Sequence, residues 1–147
     1  MRTWIRVILT SHEAIVNTCA IIDRHLDDAA FAAFSQTGQQ AYDNIVALLD
    51  RKHDLQCLDL LRESMLYHLD ENELFAIQYI QGKLDRLAVS SAMGIKPAKL
   101  NKIVDILYSK LTKHCIELGY NFNYINKHYS KVSFLNDKYK KLSKSVA

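Results

Sequence analysis

The chain has 147 residues, of which 49% are hydrophobic, with one proline and four glycines. This length predicts a single domain, or one domain plus a small appendage, and the apolar content argues against wholesale disorder. The scarcity of turn-forming residues argues against a sheet. The net charge of +3 is divided unevenly: residues 1–80 carry −6, residues 81–119 carry +4 and residues 120–147 carry +5. We therefore expect only the C-terminal half to approach a polyanion.

The N-terminal segment, MRTWIRVILTSHE, contains only a short apolar run, which is too short for a signal peptide. No later segment reaches the length of a membrane span. The sequence has three cysteines, Cys19, Cys57 and Cys115, which are far apart. Their odd number and wide spacing argue against both a disulfide framework and a zinc site. They are expected to be reduced core residues of a cytoplasmic protein.

Three helical stretches are predicted in residues 1–69. Thr10 and Glu13 have capping-box spacing, so a helix is expected to start near Ser11. Its apolar stripe runs to about Phe34, and Gly38 is predicted to close it. The stripe repeats at steps of three and four residues: Ile15, Cys19, Ile22, Leu26, Ala29 and Ala33.

A second helical stretch is predicted from about Gln39. Its inward residues would be Tyr42, Ile45, Val46 and Leu49. The sequence then allows a break at residues 51–54 or one continuous helix through Met65, and we favour the break, with Asp54 as N-cap. Residues 1–69 are accordingly expected to form a helical region for interaction or dimerisation.

Residues 70–119 have the spacing of a helix-turn-helix. Asp70 and Glu73 form a second capping-box pattern that opens a helix ending at Gly82. Gly94 is placed in the turn after a second short helix, because glycine adopts a positive φ at little cost. Pro97 suits the first position of a third helix that continues to about residue 118, roughly 33 Å long. The inward side chains are predicted to be Leu74, Ile77, Ile80, Leu87, Val89, Ile95, Leu100, Ile103, Leu107, Leu111, either His114 or Cys115, and Leu118.

A cationic outer face remains on this third helix. Lys96, Lys99, Asn101 and Lys102 are predicted to point outward, and an amide with cations is what a DNA major groove can bind. Two further predicted contacts, Lys83 and Arg86, would hold phosphates near the start of the second helix. We expect these six residues to be the DNA-binding site.

The segment from about residue 66 to residue 120 resembles region four of bacterial sigma factors, and more closely the phage late-gene regulators of the ArpU and RinA type. The pieces that carry the resemblance are AIQYIQG (Ala76 to Gly82), LAVSSAMGI (Leu87 to Ile95) and LTKHCIELGY (Leu111 to Tyr120). The resemblance implies an all-α, DNA-binding transcription regulator of phage or mobile-element origin. The chain departs from the family at Ser90, where alanine is usual, and on the outer face, where Lys96, Ala98, Lys99 and Asn101 replace the usual serine, threonine and arginine.

Residues 120–147 are predicted to form one basic amphipathic helix, with Lys127, Lys131, Lys138 and Lys141 toward solvent. Its apolar stripe would be Ile125, Tyr129, Val132, Leu135, Tyr139 and Leu142. With the preceding elements, this makes an all-α chain of roughly six helices.

No catalytic residue, metal site or cofactor is predicted. The six histidines are scattered without ligand spacing, and no glycine-rich phosphate loop or nucleophile elbow occurs. Two non-enzymatic functions remain: binding of double-stranded DNA, as a homo-oligomer, or binding of a protein such as RNA polymerase through a degenerate helix-turn-helix. A continuous basic face would favour DNA, and a face broken by Asp105 and Glu117 would favour a protein partner.

Overall fold

Residues 1–32 and 38–145 are described by a computed structural model, and within them all regular structure is helical. The all-α prediction is confirmed, with eight helices in the described residues rather than roughly six. In chain order they are α1 (Arg2–Thr10), α2 (His12–Ala32), α3 (Gly38–Tyr67), α4 (Glu71–Ile80), α5 (Arg86–Met93), α6 (Pro97–Glu117), α7 (Phe122–Tyr129) and α8 (Ser133–Ser145).

The chain divides into two compact units. Unit 1 comprises Met1–Thr10 and Leu61–Ala147, and unit 2 is the intervening Ser11–Leu60. Helix α3 contributes its first part to unit 2 and its last turns to unit 1. Unit 1 is therefore assembled from two separate stretches of sequence.

Helix α1 is an element that the sequence patterns did not predict. Five of its nine residues are buried, and α1 packs on α8, α6 and α4. The ring of Trp4 stacks on that of Tyr139, with centroids 4.6 Å apart. The Thr10 hydroxyl donates back to the Arg6 carbonyl at 2.7 Å, so Thr10 ends α1 and is not the predicted cap of the next helix.

Unit 2 contains α2 and the first part of α3. The predicted start near Ser11 is close to the observed start at His12, whereas the predicted end near Phe34 lies outside the described residues. Gly38 begins α3 and does not close α2. The favoured break at residues 51–54 is wrong, because α3 is continuous there. Two predicted inward residues, Tyr42 and Leu49, are 64% and 49% exposed.

Ion pairs join the two helices of unit 2. The Lys52 ammonium lies 2.6 Å from the Asp23 carboxylate, and His12 Nδ1 lies 2.9 Å from Asp59. The hydrogen bond to Asp23 raises the pKa of Lys52. These contacts lie at the surface, where ion pairs stabilise a fold only weakly.

The tail forms two helices instead of the predicted one. α7 ends at Tyr129 and α8 starts at Ser133. Ile125, Tyr129 and Leu135 are buried as predicted. Lys138 is not the solvent-facing side chain that was expected: its ammonium donates to the Thr10 carbonyl, and partial burial lowers its pKa.

In the stretches 1–32 and 38–145, no single helix is both long and apolar enough to cross a membrane; α1 taken with most of α2, as a bent pair, meets the length and composition for one.

Candidate nucleic-acid interface

Helices α4, α5 and α6 pack on one another and form the scaffold of the candidate site. Asp70 caps α4 in a full capping box: its side chain accepts from the Glu73 amide at 2.8 Å, and Glu73 accepts from the Asp70 amide at 3.2 Å. Asp85 caps α5 by accepting from the Ala88 amide at 2.7 Å. Both helix starts are therefore fixed by short-range hydrogen bonds.

The turn between α5 and α6 has the predicted conformation. Gly94 adopts φ 68° and ends α5, and the Ile95 amide donates to the Ser90 carbonyl at 3.0 Å. Pro97 occupies the start of α6, where its missing amide hydrogen costs nothing. Val89 and Leu100 are fully buried beneath the turn.

Some predicted inward positions do not face the core. Leu87 is 70% exposed, Leu118 52% and Leu74 39%. Ile103 is only partly buried, whereas the adjacent Val104 is 5% exposed. The buried stripe of α6 is thus turned slightly from the predicted one, toward Val104.

Four of the six predicted site residues are exposed lysines: Lys83, Lys96, Lys99 and Lys102. Lys83 lies in the connection between α4 and α5, and Lys96 is the N-cap of α6. No ion pair involves any of the four within residues 1–32 and 38–145. Their charges are available to an anion in solution.

The other two predicted site residues bind each other. Arg86 Nη2 donates to Asn101 Oδ1 at 2.9 Å, and Arg86 Nη1 lies 3.4 Å from the Pro97 carbonyl. This bridge ties α5 to the first turns of α6. It also orients the Asn101 amide, because Oδ1 faces the guanidinium and the amide nitrogen keeps its hydrogens for another acceptor.

The predicted residues on α6 do not all share one face. Each helical residue is turned by about 100° from the last, so Asn101 lies roughly 160° around the axis from Lys99 and roughly 100° from Lys102. Lys102 instead shares the outermost face with Ile106 and Lys113, both exposed. Asn101 faces the flank of α6, beside α1.

That flank carries two arginines that the sequence patterns did not single out, Arg2 and Arg6 of α1. Arg2 lies 2.6 Å from the Asp105 carboxylate and places its guanidinium 4.2 Å from the centre of the Tyr108 ring. With Asn101 they line a cleft of about 470 Å³ between α1, α4 and α6. Both are charged residues in an apolar run, and that is the signal by which they could have been found.

Tyr108 is buried, with 7% of its surface exposed, and forms one wall of this cleft. Burial raises its pKa, and the nearby Arg6 and Arg2 oppose that effect. The Tyr108 hydroxyl therefore stays protonated at neutral pH and can act as a hydrogen-bond donor or acceptor.

No protein-family model, curated protein sequence or solved structure gives a significant match to this chain.

Proposed function

We propose that this protein is a non-enzymatic DNA-binding transcription regulator that places α6 in the major groove of double-stranded DNA. The observation that carries the proposal is the α4–α5–α6 arrangement with a left-handed glycine turn and an exposed α6 start bearing Lys96, Lys99 and Lys102. Cations at the start of a helix that follows such a turn suit both phosphate contacts and guanine edges.

The environment of Asp105 supports DNA as the ligand. This carboxylate would weaken a basic face if it were free, but it is paired with Arg2 at 2.6 Å. Lys110 in turn is held by Glu73 at 2.9 Å and is not available to DNA. The cations left exposed outnumber the free carboxylates near the start of α6.

Asn101 is the proposed base-specific contact. An asparagine pairs with adenine when its oxygen accepts from N6 and its nitrogen donates to N7. Arg86 holds Oδ1 at 2.9 Å, so the amide orientation is set before DNA binds, and Oδ1 retains a second lone pair. We propose that Arg86 positions Asn101 and that Lys83 contacts a phosphate.

The test is fluorescence anisotropy with pooled genomic DNA fragments at two salt concentrations, followed by variants on the best fragment. Asn101→Ala should cost about 1–3 kcal/mol of binding free energy and relax the preference at one base pair. Lys99→Ala and Lys102→Ala should each lower the salt slope of log K by about 0.9 if the lysine neutralises one DNA phosphate. Unchanged DNA binding by a variant that combines Asn101→Ala, Lys99→Ala and Lys102→Ala would refute the assignment of α6.

A protein partner is the second candidate function, and exposed apolar side chains favour it. Leu87 on α5 is 70% exposed and Ile106 on the outer face of α6 is 61% exposed. Under this alternative, a component of the transcription machinery such as RNA polymerase would bind α5 and α6 through these residues. Leu87→Ala and Ile106→Ala would then abolish capture of RNA polymerase, whereas the lysine and Asn101 variants would show no nucleic-acid effect because the parent binds none.

We further propose that the regulator acts as a dimer, since two half-sites raise affinity and define spacing on DNA. Sedimentation velocity with and without the DNA fragment tests this. A monomer under both conditions at high micromolar concentration would contradict it.

A further inference from the structure

The cleft between α1, α4 and α6 is rich in hydrogen-bond donors. Its polar lining consists of Arg2, Arg6, Tyr79, Asn101, Asp105 and Tyr108, and its volume is about 470 Å³. This volume far exceeds the roughly 30 Å³ that one water molecule occupies.

Three of the lining groups have donors that no acceptor of the described residues engages. The Arg6 guanidinium and the Tyr79 hydroxyl have no side-chain hydrogen bond within residues 1–32 and 38–145, and the Asn101 nitrogen is free because the Arg86 bond uses the oxygen. A guanidinium, a hydroxyl and an amide nitrogen that line one cleft match an acceptor with several oxygens.

The lining also contains a single carboxylate, Asp105, and Arg2 neutralises it at 2.6 Å. Arg6 is left as the uncompensated charge of the cleft, and a second guanidinium, that of Arg86, is hydrogen-bonded to the lining residue Asn101. The local charge is therefore positive, which favours an anion over a cation or a neutral sugar.

We infer that this cleft is a phosphate-binding site in which Arg6 and Tyr79 donate to one phosphoryl group, with the second hydrogen of the Asn101 amide nitrogen, the one not used toward a base, as a further donor. Arg6 is suited to this because its planar donors match two phosphate oxygens at once. The phosphoryl group comes either from a free phosphate or from the DNA backbone beside Asn101. The DNA-backbone source rests on the proposed function, whereas the free-phosphate source does not.

Arg2 also shapes the site. It lines three adjoining clefts, the second with Ser109 and Lys113 and the third with Thr3 and Leu142. Its bond to Asp105 and its place over the Tyr108 ring keep its guanidinium at the edge of the phosphate cleft. Arg2 thus cancels the one negative charge there without filling the space.

The first arm of the experiment uses inorganic phosphate. The melting temperature of the full chain is measured as phosphate replaces chloride at constant ionic strength, and the apparent Kd is taken from the shift. Arg6→Gln and Tyr79→Phe should each weaken phosphate binding, Arg6→Gln by about tenfold or more because it removes a charge-assisted pair of hydrogen bonds. Arg24→Gln is the matched control, since Arg24 is an exposed arginine of unit 2.

The second arm uses the DNA fragment. If the site holds a backbone phosphate, Arg6→Gln should lower the salt slope of log K by about 0.9 relative to the parent, and Arg24→Gln should not. Inorganic phosphate should then weaken DNA binding by the parent but not by Arg6→Gln.

The outcomes separate the two proposals. A phosphate effect that disappears in Arg6→Gln supports the site whether or not the chain binds DNA, and a slope change in the second arm alone supports the backbone source. The site would be overturned if Arg6→Gln and Arg24→Gln bound DNA with the same salt slope of log K and phosphate did not shift the melting temperature. That result would leave the DNA-binding proposal standing. An equal rise of the melting temperature with phosphate in every variant would also overturn the phosphate site. Tyr79→Phe, which removes one hydroxyl only, keeps the first arm decisive if Arg6→Gln does not fold.

Discussion

Ser90 is a polar side chain buried where nothing bonds to its hydroxyl. It is 2% exposed, and its Oγ has no hydrogen-bond partner among the described residues. Leaving such a group unsatisfied costs roughly 1–3 kcal/mol.

Ser90→Ala is therefore expected to raise the free energy of unfolding by about 1 kcal/mol or more, measured by urea titration. Ser91→Ala is the matched control, because Ser91 is the next residue of α5 but is exposed. Both changes gain helix propensity, so the difference between them isolates the buried hydroxyl. Equal gains would show that the Ser90 hydroxyl is satisfied in solution.

Cys115 links stability to alkaline pH. It is fully buried on α6 beside Met65, and burial raises the pKa of its thiol to about 11. The folded state thus keeps a proton that the unfolded chain releases near pH 9. This contribution to stability is complete below pH 9 and is lost as the pH rises toward 11.

Between pH 9 and pH 11, the free energy of unfolding of the parent should fall by about 2–3 kcal/mol more than that of Cys115→Ala. The size follows because one pKa unit corresponds to about 1.4 kcal/mol. Urea midpoints at pH 8, 9, 10 and 11 provide the measurement. Parallel curves for the parent and Cys115→Ala would contradict the expectation.

At the scale of single residues, the sequence predicted the exposure of the candidate site but not its contacts. The four lysines are exposed as predicted, since charge alone keeps such side chains in water. The Arg86–Asn101 bond joins residues 15 apart on two helices, and it depends on how those helices cross. Arg2 and Arg6 were missed because their helix was missed.

At the scale of elements, the α5–α6 turn depends on a backbone conformation. Gly94 has φ 68°, and a Cβ built there would meet nothing within 4 Å. A substitution at this residue therefore costs conformational energy without a steric clash.

Gly94→Ala should lower the free energy of unfolding by roughly 1–2 kcal/mol, and Gly94→Asn by less, because asparagine tolerates the left-handed region better. Urea titration of both variants measures the difference. A cost for Gly94→Asn as large as that for Gly94→Ala would mean that the turn rearranges.

Three local signals predicted their elements correctly, whereas the capping-box spacing at Thr10, the predicted stop at Gly38 and the predicted N-cap at Asp54 did not. The capping box at Asp70, the glycine turn at Gly94 and the proline at Pro97 each act within a few residues, so their sequence patterns are sufficient. Helix α1 has no such signal: it is a short apolar run whose burial comes from α8, α6 and α4, all distant in sequence. Tertiary packing alone identifies it as a helix of the core.

The errors in α3 and the tail have related causes. The charged residues at positions 51–54 suggested a loop, but most of them occupy exposed positions on a continuous helix. In the tail, the apolar spacing continues from Tyr129 to Leu135 although the helix ends between them. Apolar periodicity persists across a short break when both helices bury the same kind of face.

At the scale of the whole molecule, the two units differ in how much they bury. Among the described residues, 20 buried hydrophobic side chains belong to unit 1 and five belong to unit 2. Unit 2 has about half as many residues and a quarter as many buried apolar groups. We therefore expect unit 2 to unfold at a lower denaturant concentration.

The single tryptophan provides the measurement, because Trp4 lies in the core of unit 1. Urea unfolding followed by circular dichroism at 222 nm should show an early phase that Trp4 fluorescence does not report. Leu58→Ala, in unit 2, should move only that early phase. Coincident transitions for both probes would mean that the two units unfold as one.

The two units also differ in net charge. Unit 2 carries three basic and eight acidic residues, whereas unit 1 carries a net charge of +8. A polyanion therefore attracts unit 1 and repels unit 2. The modest net charge of the chain conceals this difference between the two units.

The packing of α1 on α8 has a consequence for synthesis on the ribosome. The hydrogen bond from Lys138 to the Thr10 carbonyl spans 128 residues, so α1 is synthesised well before α8. At a translation rate of about 5–20 residues per second, roughly 6 to 25 s pass between the synthesis of α1 and that of α8. During that interval Trp4 and its neighbours are an exposed apolar segment of a nascent chain, which is what holdase chaperones bind. Nascent chains stalled before Ser133 should therefore crosslink to a chaperone through α1, and Trp4→Ser should reduce the crosslink. Equal crosslinking by chains in which all of α8 has left the ribosome would contradict this order of events.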